Sequence, residues 1–141
     1  MQVRDGMTKI VLTLGPRHTL REAATRMGDR GVGAAVVADP DAPGVGIFTE
    51  RDLLQSLADG EDADRERVGD HLTAGLVFAA PDWSLEEAAV AMIRGGFRHL
   101  VVLEQGDVVG IVSMRDIVRC WTDDSALCDV PPSAELSGSV S

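Results

Sequence analysis

Cysteine and histidine are scarce in this 141-residue chain, with two of the first and three of the second. Cys120 and Cys128 lie eight apart near the C-terminus and make no disulfide framework. No CxxC occurs, and His18, His71 and His99 are scattered, so no metal site is expected. No apolar run approaches the roughly 20 residues of a membrane span. The opening "MQVRDGMTKI" lacks the basic-then-apolar order of a signal peptide, so a cytoplasmic protein is expected. Neither a phosphate loop nor a nucleophile–base motif occurs, and no enzyme is expected. Basic charge is short too: 13 basic against 23 acidic side chains leave a net charge of −10. Such a chain repels phosphate backbones, which argues against a nucleic-acid partner. A small anion is different, because a local cluster of arginines outweighs distant carboxylates within a Debye length of about 8 Å.

What the chain does have is itself twice. At a shift of 65 residues, Val3–Val37 lies on Val68–Val102 without a gap, and 12 of 35 positions are identical. Val3/Val68, Thr8/Thr73, Pro16/Pro81, Met27/Met92 and Gly31/Gly96 are among them. One residue is then lost from a loop, and at a shift of 64 "GIFTERD" (Gly46–Asp52) meets "GIVSMRD" (Gly110–Asp116). Two copies fit a pseudo-twofold pair better than a solenoid, which needs about three or more.

Each copy reads as β-α-β-β-α. An apolar stretch (Ile10–Leu14; Leu76–Ala80) stops at Pro16 or Pro81. "TLRE" and "SLEE" are capping boxes, and helical spacing follows in Leu20, Ala23, Ala24 and Met27 and in Leu85, Ala88, Ala89 and Met92. Glycines at 28 and 31, or 95 and 96, end those helices. Two apolar strands come next (Ala34–Ala38 and Val45–Phe48; Leu100–Leu103 and Val108–Val112), and a last helix begins after Thr49 or Ser113. The units are thus 1–60 and 68–122, with a polar linker at 61–67 and a tail at 123–141 expected to be disordered. The expected fold is mixed, α+β (α/β): two units whose sheets pack together with the helices outside. The apolar faces of the last helices (Leu53, Leu54, Leu57; Ile117, Val118, Trp121) are left for a homodimer. Met27 and Met92 belong to the core, and Trp83, Trp121 and Phe97 to packing or the dimer surface.

The duplicated unit, the paired motif endings and "FRHLVVL" (Phe97–Leu103) together resemble the CBS domain, named for cystathionine β-synthase. That domain occurs as a tandem pair, the Bateman module, and the resemblance runs from about Val3 to Trp121. It suggests a stand-alone regulatory CBS-pair protein. The resemblance implies clefts between the units that bind adenosine compounds: AMP, ADP, ATP or S-adenosylmethionine. None is required as a cofactor. It places Asp52, Asp116, Thr49 and Ser113 at ribose, and Arg51, Arg115, Arg98 and His99 within reach of phosphate. Adenine would be flanked by Leu12, Thr13 and Leu14 in one copy and Val77, Phe78 and Ala79 in the other.

A purely structural reading competes with this. T-x-x-D and S-x-x-D also start helices as capping boxes. The undisputed caps use Glu22 and Glu87, whereas both motif copies use Asp, a shorter carboxylate expected to reach the N-cap amide less well. A second demand on Asp52 and Asp116 is therefore expected. Arg98 and His99 stand opposite Gly33 and Ala34, so the two clefts are expected to differ. The alternative function is a ligand-free dimeric adaptor that binds a partner protein.

Overall fold

The computed structural model describes residues 1–75 and 78–124. Its elements are α1 (Val3–Gly6), β1 (Thr13–Leu14), α2 (Leu20–Arg30), β2 (Ala34–Ala38), β3 (Val45–Thr49) and α3 (Glu50–Ala58). A 3-10 turn at Val68–Asp70 opens the second copy. There follow β4 (Phe78–Ala79), α4 (Leu85–Gly95), β5 (His99–Glu104), β6 (Asp107–Ser113) and α5 (Met114–Asp124). The two three-stranded sheets have the same order, β1-β2-β3 and β4-β5-β6. In each, the first pair is parallel and the second antiparallel. The duplicated β-α-β-β-α order is therefore the observed topology.

The central strands are apolar, β2 throughout and β5 from Leu100 to Leu103, because both faces are buried there. On β2, Ala35 and Val37 point to the helices of their own unit, while Ala34 and Val36 point to the other sheet. On β5, Leu100 and Val102 face the helices and Val101 faces the other sheet. Ala34, Val36, Ile47, Val101 and Ile111 form the layer between the sheets. Met27 and Met92 lie in the two helix-side cores. α2 and α4 both end at a left-handed glycine, Gly31 (φ 63°) and Gly96 (φ 72°), as a C-terminal cap requires. Gln105 and Gly106 both have positive φ, which turns β5 back into β6.

The leading segments of the two copies are exchanged. Val3 is buried among Leu85, Met92 and Ile117 of the second unit, and its repeat mate Val68 among Leu20, Met27 and Phe48 of the first. Leu85 N–H, first in α4, donates to the Met1 carbonyl at 3.2 Å; Leu20 N–H, first in α2, donates to the Glu66 carbonyl at 3.0 Å. Arg21 N–H donates likewise to Ala63 O. Residues 61–67 are thus a helix cap as well as a linker, further held by the Arg21–Asp64 ion pair. The exchange also accounts for the glycine that opens each motif. A Cβ on Gly110 would meet the Thr8 carbonyl oxygen at 2.8 Å, and one on Gly46 would meet Leu72 Cδ1 at 2.7 Å. Each glycine makes room for chain arriving from the other copy.

Several expectations are corrected. β1 is two residues long rather than five, and Ile10 is exposed. β4 is described over Phe78–Ala79, and the expected start of its stretch at residues 76–77 lies outside the described residues. Ile117 is fully buried and Leu53 is half-buried against its own core, so neither belongs to an outer apolar face. Leu54, Leu57, Val118 and Trp121 do lie exposed there. The expected disorder of the tail, and Cys128, fall beyond residue 124, outside the described residues. Among the described residues, no helix is long and apolar enough to cross a membrane.

Candidate functional site

Two cavities of about 590 and 580 Å³ open between the units, each lined by one motif and by the end of the other copy's first helix. The first contains Thr49, Glu50, Arg51 and Asp52, together with Thr73 and Gly95–His99. The second contains Ser113, Met114, Arg115 and Asp116, together with Thr8, Leu12 and Gly31–Ala34. Glu50, Arg98 and His99 stand in the wall of both. The sequence left open which cleft Arg98 and His99 enter; they are shared.

In the first cavity the start of α3 organises the site. Thr49 N–H and Thr49 Oγ1 both donate to Asp52 Oδ2 at 2.9 Å, and Thr49 Oγ1 is 3.3 Å from Asp52 N–H. Thr73 Oγ1 adds a bond of 2.5 Å to the same Oδ2. No donor among the described residues reaches Asp52 Oδ1, which leaves an acceptor beside the cavity. Arg51 Nη1 crosses to the Gly96 carbonyl at 2.9 Å, so this cation caps the C-terminus of α4.

In the second cavity Ser113 N–H donates to Asp116 Oδ2 at 2.9 Å, and Asp116 N–H to Ser113 Oγ at 3.0 Å. The other oxygen, Oδ1, accepts from Arg119 Nη2 at 2.6 Å. Asp116 is 6% exposed, one of two buried polar residues among those described. The expectation that aspartate reaches the N-cap amide less well than glutamate fails. Both aspartates reach it at 2.9 Å, whereas Glu22 reaches Thr19 N–H at 3.3 Å. The shorter side chain sits closer to its own turn and needs less extension. Capping is therefore a role both aspartates do fill.

His99 is half-buried between the cavities, and desolvation holds its pKa below the usual 6.5. Glu50 and Asp116 oppose that shift, and Arg98 reinforces it. The ring is therefore neutral near pH 7, a hydrogen-bonding group rather than a standing cation. Arg98 is exposed and makes no ion pair among the described residues.

Of the residues placed at adenine, Leu12 lines the second cavity. Leu14 and Ala79 are instead buried in the helix-side cores, and Phe78 packs in the layer between the sheets. Thr13 is exposed on β1 and lines neither cavity, and Val77 lies outside the described residues. Sequence reading missed Thr73 and Phe97 as cavity residues and Arg119 as the partner of Asp116. The Thr8/Thr73 identity was a usable signal for the first. A separate cluster brings Glu61, Glu66 and His71 together, their ligand atoms within 4.8 Å of one another. The closeness of the two carboxylates raises the pKa of Glu61, while that of Glu66, which His71 Nε2 contacts at 3.2 Å, is lowered.

Comparison with known proteins agrees with this architecture. The CBS domain model matches twice, at residues 2–59 and 68–123. The CBS domain-containing protein YhcV of Bacillus subtilis is 36% identical over 128 residues, covering 88% of this chain and 89% of that one. Other curated relatives are longer, and the chain spans 44% of one and 20% of another. A CBS-domain containing protein of Agrobacterium tumefaciens, known from its crystal structure, superposes with a TM-score of 0.78 at 34% identity, covering 85% of this chain and 98% of its own. The CBS domain pair of protein MJ0100, crystallised with 5′-methylthioadenosine and S-adenosyl-L-methionine, gives a TM-score of 0.79 at 23% identity, covering 89% and 98%. The duplicated topology and the twofold match to one domain model together establish that this chain belongs to the CBS-domain family, as a tandem pair.

Proposed function

We propose that this CBS pair is a non-catalytic regulatory module that binds an adenosine-containing ligand between its two units. The observation that carries the reading is Asp52. Its Oδ2 is fixed by three donors, and its Oδ1 is left beside a cavity of about 590 Å³, a size suited to a nucleotide. A carboxylate held this way accepts from the vicinal hydroxyls of a ribose. Ile47, Leu54 and Phe97 supply an apolar wall for a base, and Arg98 supplies charge for a phosphate. Thr49 orients Asp52, and His99 donates or accepts at the shared wall. Ser113, Asp116 and Arg115 form the related edge of the second cavity, with Leu12 as its apolar wall. AMP, ADP, ATP and S-adenosylmethionine are the candidate ligands. The ligands of the MJ0100 pair, both adenosine compounds, support the class.

The module is also proposed to act as a homodimer in the cytoplasm, joined through the exposed Leu54, Leu57, Val118 and Trp121. Those same residues favour the second reading, a ligand-free adaptor for a partner protein. Thermal denaturation with each candidate ligand separates the two. A ligand at 100 times its Kd adds about 2.7 kcal/mol, a rise on the order of 10 °C for a domain of this size. If none of the four shifts the transition at millimolar concentration, the adaptor reading takes its place.

A further inference from the structure

The two cavities carry the same motif, yet their aspartates are in different states. Asp52 keeps one carboxylate oxygen without a donor among the described residues, whereas both oxygens of Asp116 are engaged, Oδ2 by Ser113 N–H and Oδ1 by Arg119 at 2.6 Å. In the repeat register Arg119 stands opposite Gln55. The Gln55 amide turns away from Asp52 and donates to Asp59 Oδ1 at 3.0 Å. One substitution between copies therefore separates a carboxylate with no cationic partner among the described residues from one paired with an arginine. The contact is charge-assisted, and its carboxylate half is buried.

A second observation points the same way. Arg98 and His99 occur in one copy and line both cavities. A phosphate drawn to Arg98 in one cavity leaves that cation unavailable in the other. Arg51, meanwhile, is tied to the Gly96 carbonyl and braces the wall of the first cavity.

Building on the adenosine reading above, we infer that the chain takes one ribose-bearing ligand, in the Asp52 cavity, and that Arg119 withholds the Asp116 carboxylate from a second. Arg119 is then a specificity-determining residue. It lies outside the lining of either cavity and acts through Asp116. A ribose diol at Asp116 must compete with a guanidinium already paired to Oδ1 of a carboxylate that is only 6% exposed. The Asp52 cavity presents no such competitor among the described residues.

Isothermal titration calorimetry with AMP tests the assignment on wild type, Asp52→Asn and Arg119→Gln, each first checked for a cooperative melt. Wild type is expected to bind one AMP per chain. Asp52→Asn keeps a capping oxygen and replaces the second acceptor with a donor, so binding should weaken at least tenfold. Arg119→Gln installs the first copy's residue, and the stoichiometry should rise towards two. Two equal sites in wild type would overturn this inference and leave the adenosine reading standing. So would one site that Asp52→Asn leaves intact, or a stoichiometry of one that Arg119→Gln does not change. No AMP, ATP or S-adenosylmethionine bound by wild type would overturn the adenosine reading, and this inference with it.

Discussion

His99 carries the clearest electrostatic signature at the level of single residues. Its pKa is depressed by burial, so the unfolded chain binds a proton that the folded chain resists. Above the ordinary value of 6.5 both states are neutral, and the residue contributes nothing to the pH dependence. As pH falls through 6.5 the unfolded state gains its proton first, and stability declines until the folded ring also protonates. Glu50, Asp116 and Arg98 face the ring, and the two carboxylates limit the size of the effect. His99→Gln should therefore melt closer to wild type at pH 5 than at pH 7.5, or above it, because the variant lacks this acid-side loss. Parallel melting curves for the two proteins across that range would contradict the assignment. Asp52 shows how one residue answers to two demands at once. Its helix-capping bonds were foreseeable from T-x-x-D, but the bond from Thr73 joins residues 21 apart and needs the fold.

Exchange of the leading segments has consequences at the level of elements. Val3 precedes the whole first unit yet completes the core of the second, and Val68 opens the second copy yet completes the core of the first. Truncating either to alanine removes two methyl groups from a packed core, at about 1–3 kcal/mol. Val3→Ala should raise amide hydrogen exchange first in α4, and Val68→Ala first in α2, as followed by mass spectrometry. Loss of protection in the unit that each residue precedes in sequence would show that the segments are not exchanged. Much of the element plan was legible in the sequence because it is locally encoded. Thr19 and Ser84 start α2 and α4, Gly31 and Gly96 end them, and the apolar runs of β2 and β5 reflect burial on two faces. The exchange was not legible, although Val3/Val68 and Thr8/Thr73 keep register. Identity in a repeat says that two residues share an environment, and leaves open which copy supplies it. The length of β1 was overestimated because the apolar residues at 10–12 line a cavity or face solvent rather than extend a ladder. Arg119 escaped notice because a single charge at i+3 of a helix reads as ordinary surface until its partner is seen to be buried.

For the whole molecule, the sheets meet through a small apolar layer, and the two cavities open at the edges of that contact. Binding there touches residues from both copies at once, so a ligand would couple the units rather than decorate one of them. The outer faces of α3 and α5 remain apolar, with Leu54 69% exposed and Trp121 46% exposed. If these faces join two chains, Leu57→Glu/Trp121→Glu, at residues that line neither cavity, should convert the wild-type dimer to a 15.0 kDa monomer in sedimentation velocity. A wild type already monomeric at micromolar concentration would remove the dimer from the account. Such a protein would still have its cavities, since every lining residue comes from one chain.

Ligand binding between the two units is the central claim, and amide chemical shifts test it most directly. In an NMR titration of the whole chain with AMP, the largest shifts should fall on Thr49–Asp52, Thr73 and Gly96–His99, residues of both copies that surround one cavity. Shifts confined to the outer faces of α3 and α5, or none at millimolar AMP, would contradict it.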